Sequence, residues 1–194
     1  HMASIHKEIL IDASPADVWD ALRDFGALHT RLVPGFVTDT KLDGDARIVT
    51  FANGTVAREI LVDCDDAKRR LVYAIVSERL KQHSASAQVF AEGDGRTRFV
   101  WVADVLPNEI APYMDAQMDL GLLAMRYGLA LAVEQIDLGA LDRPADRGEA
   151  LAFGRDDARG GNDGRFGRAV VVDEIERQAG RRAHGELVGA GQQH

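Results

Sequence analysis

Between Phe36 and Val105 the chain is a run of short alternating segments cut by turn chemistry, and no other feature restricts the fold as much. Segments near 37–42, 47–51, 55–63, 70–76, 83–91 and 96–105 are separated by Asp43-Gly44-Asp45, Asn53-Gly54, Asp65-Asp66-Ala67-Lys68 and Gly93-Asp94-Gly95. Glycine and asparagine supply the positive φ that tight hairpin turns require. Connections this short join antiparallel neighbours, because parallel strands need a crossover of about a dozen residues or more.

The flanks complete an order. Residues 4–11 alternate Ile5, Lys7, Ile9 and Ile11 against His6, Glu8 and Leu10, a strand pattern. Ser14-Pro15-Ala16-Asp17 then gives an N-cap, a proline in the first turn and an early acid. Val18, Trp19, Leu22 and Phe25 form an apolar stripe, and Gly26 stops that helix. A second short helix is expected over 27–32, before Pro34-Gly35. Pro107-Asn108-Glu109 breaks the last strand, and residues 110–137 read as one helix of about seven turns. The order β-αα-β6-α predicts an α+β fold in which a curved seven-stranded antiparallel sheet wraps around a long C-terminal helix.

The domain is expected to span 3–137. His1-Met2 reads as the remnant of a cleaved tag and is left out. Residues 138–194 hold 11 of the 19 glycines and 9 of the 23 Lys+Arg, with no Lys, Trp or Tyr. Such a segment buries too little apolar area to offset chain entropy, so a disordered or poorly structured tail is expected. The formal charge of −8 argues against nucleic acid and anionic membrane surfaces as partners. No apolar run approaches the roughly 20 residues of a membrane span, and no secretory signal is evident. The single cysteine, Cys64, fits a reducing, cytoplasmic setting, and its acidic neighbours disfavour a reactive thiolate.

On the long helix, 100° steps place Met114, Met118, Met125, Leu129, Ala132 and Ile136 on one narrow face with Gly121 at its edge. Asp115, Asp119, Arg126, Glu134 and Asp137 lie opposite. Methionine tolerates partners of varied shape, so this stripe suits either a plain core or the wall of a ligand cavity. On the strands, His83, Ala85, Ala87 and Val89 share one face, and the small alanines would leave room. Leu71, Tyr73 and Ile75 share another, as do Ala57, Glu59 and Leu61. If these strands are neighbours and the faces point inward, Glu59, Tyr73 and His83 form a polar patch across roughly 10 Å. A buried Glu59 would then need a partner such as Tyr73, water, ligand or a residue near Arg58. With the opposite facing, Glu59 and His83 are solvated. There is no metal-ligand spacing among the histidines, no phosphate loop and no nucleophile elbow, so neither metal nor cofactor is expected.

Three stretches carry a resemblance: residues 9–19 (ILIDASPADVW), Leu61-Val62-Asp63-Cys64-Asp65-Asp66 with Arg69-Arg70-Leu71-Val72-Tyr73, and residues 95–101 (GRTRFVW). Over 4–137 the chain resembles the START-like helix-grip superfamily, and within it the bacterial polyketide cyclase/dehydrase-like (SRPBCC) group. The resemblance implies a sheet gripping the C-terminal helix around a pocket, as in carriers of hydrophobic ligands, lipid-transfer domains, aromatase/cyclases and plant hormone receptors. Against abscisic-acid receptors, Glu78-Arg79-Leu80 with His83 is similar to the latch His-Arg-Leu and a following pocket tyrosine, and Glu59 falls at an inward glutamate. The receptors' Ser-Gly-Leu-Pro-Ala gate is replaced by Ala52-Asn53-Gly54-Thr55, so hormone reception does not carry over. Glu59, Tyr73, His83, Ala85, Trp101, Met114, Met118, Gly121 and Met125 are the candidate ligand-binding residues. The expected activity is binding of a small apolar, polyketide-like or lipid-like metabolite by a monomer or homodimer. The other reading is a cyclase or aromatase in which His83, Tyr73 and Glu59 move protons.

Overall fold

The computed structural model describes the backbone of residues 1–141 and the side chains of residues 1–129. The expected tail beyond 141 and the stripe residues Ala132 and Ile136 lie outside the described residues. Strand β1 (Ala3–Ile11) leads into helix α1 (Pro15–Arg23), a single π-helical turn (Leu28–Leu32), and six strands: β2 (Val37–Asp43), β3 (Ala46–Phe51), β4 (Val56–Asp65), β5 (Arg70–Val76), β6 (Gln82–Ala91) and β7 (Thr97–Leu106). A 3-10 turn (Asn108–Ile110) opens helix α2 (Ala111–Leu141). The strands form one antiparallel sheet in the order β1-β7-β6-β5-β4-β3-β2, with β1 and β2 at its edges. This is the expected helix-grip fold, with α2 continuing past the anticipated end at Asp137.

Local chemistry explains the elements. Ser14 Oγ accepts the Asp17 N–H at 3.1 Å and caps α1. The stripe Val18, Trp19, Ala21 and Leu22 is buried, each large apolar side chain contributing about 1.5–3 kcal/mol. Trp19 Nε1 donates to Asp66 Oδ1 at 2.9 Å and Arg23 pairs with the same oxygen at 3.2 Å, tying α1 to the β4–β5 turn. Thr97 Oγ1, fully buried, donates to Ala13 O at 2.7 Å and anchors the end of β1 to β7.

Besides a register shift between Val37 and Asp39 in the β2–β3 ladder, two irregularities interrupt the sheet beside the cavity. The β4–β5 register slips by one residue between Leu61 and Asp63, a bulge that leaves Val62 exposed and pairs Asp63 with Val72. The β5–β6 ladder stops at Tyr73–Ala85, whereas β6–β7 pairs along the whole of β6. The sheet therefore splays beyond Tyr73, and the backbone N–H of Ile75 finds its acceptor on a side chain, His83 Nδ1, at 3.0 Å.

Among the described residues no helix is long and apolar enough to cross a membrane.

Candidate binding cavity

The concave face of the sheet and helix α2 enclose a cavity of about 590 Å³. Alternation on β3, β4 and β5 sends Arg47, Phe51, Ala57, Glu59, Leu71, Tyr73 and Ile75 to its wall. Phe99 and Trp101 of β7, and Met114, Met118 and Met125 of α2, face them. Leu22 of α1 with Leu28, Leu32, Val33 and Phe36 close the far end. The exposed residues of the wall are Asn53, Thr55, Val56, Val76, Ser77, Arg79 and Tyr113, which marks the mouth between the β3–β4 turn, the β5–β6 loop and the start of α2. Asn53 Nδ2 reaches Tyr113 Oη at 3.4 Å across one side of it.

Three buried side chains of the wall carry polar groups, and Gln117 of α2 is half-buried on the same wall. Arg47 and Glu59 are cross-strand partners and both are buried, at 5% and 4% exposure. Glu59 Oε2 accepts from Arg47 Nε at 2.7 Å and lies 2.6 Å from Nη2. Arg47 Nη1 donates to Phe25 O at 3.2 Å, and the guanidinium lies 4.0 Å over the Phe25 ring. All three guanidinium nitrogens thus have protein acceptors, while Glu59 Oε1 has none among the described residues. A buried charge is stable only when paired in this way. Tyr73 Oη accepts from Trp101 Nε1 at 3.2 Å and donates to nothing among the described residues. Burial, and secondarily the Glu59 carboxylate, pushes the phenol well above its ordinary pKa, so it keeps its proton.

The inward orientation considered for Glu59 and His83 is the one observed, with both buried. The partner of Glu59 among the described residues is Arg47, not Tyr73 or a residue near Arg58. Glu59, Tyr73, Trp101, Met114, Met118 and Met125 lie together on the cavity wall. His83, Ala85 and Gly121 do not. His83 is buried 5.8 Å from the Tyr73 ring, its Nδ1 committed to Ile75 and its Nε2 without a partner among the described residues. Burial pulls its pKa down to about 4 against a smaller opposing pull from Asp104, so the imidazole is neutral at pH 7. Ala85 is buried between Tyr73 and Ala103 in register. Gly121 is where α2 touches the sheet: a Cβ there would stand 3.0 Å from the Trp101 ring and 3.3 Å from Phe36. Burial raises the Cys64 thiol, as do Asp66 and its other acidic neighbours, with Arg23 opposing.

Arg47 is the main site residue that sequence reasoning missed. Its signal is visible in hindsight: it shares a strand face with Val49 and Phe51, as a charge on an otherwise apolar face.

A family model described as polyketide cyclase/dehydrase and lipid transport matches residues 2–134. No curated protein matches the chain. Among solved structures, the fold is similar to that of an uncharacterized Bacillus thuringiensis protein (TM-score 0.59, 20% identity, covering 66% of this chain and 99% of that one). It is also similar to norcoclaurine synthase from Thalictrum flavum bound to a transition-state analogue (TM-score 0.56, 18% identity, 70% and 97%). A Thermobifida fusca protein solved in solution matches with TM-score 0.54 and 27% identity over 64% and 91% of the two chains.

Proposed function

The chain belongs to the polyketide cyclase/dehydrase and lipid transport family, and from that premise we propose that it binds a small, largely apolar molecule in the cavity. The observation that carries this reading is the wall itself: about 590 Å³ lined mainly by aliphatic, aromatic and methionine side chains, with Arg47, Glu59 and Tyr73 gathered on neighbouring strands. Ligand sites are of this kind, apolar for affinity with a few placed polar groups for orientation. A buried ion pair adds little net stability over apolar residues of the same volume, so a role in fixing a ligand's polar end gives it a reason to be there. We assign the binding unit to residues 3–137 and, from its lone cysteine, to a reducing cytoplasm.

A second reading is acid–base turnover of a polyketide-like substrate. It draws on the shared placement of Glu59 and Tyr73 at the cavity wall. In that reading Tyr73 would donate and Glu59 accept protons. His83 would support Ile75 rather than touch substrate.

The test is to narrow the cavity from β4, where Ala57 is half-buried on its wall. Native mass spectrometry of the wild-type protein should show a co-purified small molecule, and titration with a fluorescent apolar probe should saturate. Ala57→Trp should lose the molecule and weaken the probe at least tenfold while its melting temperature stays within a few degrees. Equal probe binding by the two proteins would place binding elsewhere and end the proposal.

A further inference from the structure

The geometry points to an uncharged ligand that bears a hydroxyl-type donor and, about one ring away, an oxygen acceptor, and to discrimination against carboxylates such as fatty acids. This rests on the cavity being the binding site.

The fully buried polar groups of the wall are few, with the Gln117 amide half-buried beside them. Glu59 Oε1 is a carboxylate oxygen without a protein donor, and the Tyr73 O–H is a donor without a protein acceptor among the described residues. The two residues are diagonal neighbours across β4 and β5, since Glu59 pairs with Ile75 and Leu61 with Tyr73. Diagonal neighbours of this type stand about 7–8 Å apart at the backbone, and closer where long side chains converge. One ring carrying a hydroxyl and a second oxygen spans that separation. A pure hydrocarbon would strip water from both groups and return nothing, which is the costly way to bury them.

Charge decides the rest. Glu59 is the sole carboxylate among the described residues of the wall, and Arg47 neutralises it with every guanidinium nitrogen engaged. The interior is therefore neutral: three of the five N–H groups of Arg47 are used by Glu59 and Phe25, and Glu59 Oε1 is the open acceptor beside them. A ligand carboxylate placed there meets the Glu59 carboxylate in a poorly screened environment and must share Arg47 with it. Arg79, the other cation of the wall, is exposed at the mouth and screened by solvent.

The experiment uses three probes on one ring system, naphthalene, a naphthol (6-methoxy-2-naphthol, hydroxyl donor and ether acceptor) and a naphthoate (6-methoxy-2-naphthoate), titrated into the full chain by calorimetry at pH 7. The naphthol should bind at least tenfold tighter than the naphthoate and several-fold tighter than naphthalene. Tyr73→Phe should weaken the naphthol severalfold and leave naphthalene unchanged. Glu59→Gln leaves Arg47 uncompensated and should reverse the order of naphthol and naphthoate. Naphthoate binding the wild type as tightly as naphthol, or naphthalene matching naphthol, overturns the inference while leaving the cavity reading intact, as does an unchanged order in a folded Glu59→Gln. If none of the three binds, the cavity reading falls and this one with it. The wild-type order and Tyr73→Phe decide the matter should Glu59→Gln fail to fold.

Discussion

The two halves of the concave face follow opposite rules. On β6, β7 and β1 the inward residues outside the cavity wall include Ile5, Ile11, Ala85, Val89, Ala103 and Val105, apolar and buried, with His83 and Thr97 the buried polar members of that region. On β3, β4 and β5 the inward set includes Arg47, Glu59 and Tyr73, and there the space is left open. The closed half draws its stability from close packing. The open half gives up dispersion contacts and keeps its shape through a hydrogen-bonded ion pair, which is directional and so does not collapse into the void. Small residues mark the void only in part: Ala57 and Ala87 line it, whereas Ala85 does not and Gly121 stands against the Trp101 ring.

The sharpest way to break this contrast is to remove one member of the pair. Arg47→Met leaves a buried, uncompensated carboxylate and should cost about 3–5 kcal/mol in urea unfolding. Arg47→Met with Glu59→Leu should recover most of that loss, since apolar residues can replace a buried pair at little cost. A single-variant cost below about 1 kcal/mol would mean that the open half does not depend on the pair.

Next in size is a matched truncation. Ile11→Ala, at a fully buried position of the closed half, should cost about 3 kcal/mol. Ile75→Ala, half-buried on the cavity wall, only enlarges an existing space and should cost about 1 kcal/mol. Equal costs in the same denaturation assay would erase the distinction between the halves.

The smallest effect concerns His83 and pH. Its folded pKa, about 4, lies below the ordinary 6.5, so the unfolded chain binds the extra proton first. The contribution is complete above pH 6.5 and is lost as pH falls through the window down to 4. Between pH 7.5 and pH 5 the loss should be about 2 kcal/mol, and His83→Gln should flatten that slope. A wild type whose stability does not fall over this range would show that the imidazole is not held neutral.

Much of the fold was legible because its cues are local. The Ser14 cap, the glycine turns and the strand alternation each act within a few residues, and all appear where expected. The methionine face of α2 was legible for the same reason, through helical periodicity, and Met114, Met118 and Met125 line the cavity. What escaped depends on pairing between distant segments. Arg47 reads as a surface charge until β3 is laid against β4 and Glu59 comes opposite. The inward facing of His83 follows from alternation, but its separation from the cavity follows from the early end of the β5–β6 ladder. Gly121 is placed at the edge of the methionine face by periodicity, and only the approach of Trp101 shows what occupies the space beside it.

The bulge at Val62 acts as a phase shift in the chain. Ahead of it, odd-numbered residues of β4 face inward, as Ala57 and Glu59 do at the cavity wall. Were Val62 paired like its neighbours, that parity would carry Asp63 inward behind Leu61. With Val62 unpaired, Asp63 stands opposite Val72, whose neighbours Leu71 and Tyr73 take the inward positions. A single unpaired residue thus separates the Glu59 position from the acidic run 63–66 beyond it. Which charges the cavity holds is therefore set by which β4 residue stays out of the ladder as much as by residue identity, and pairing that exposed valine in register would rewrite it.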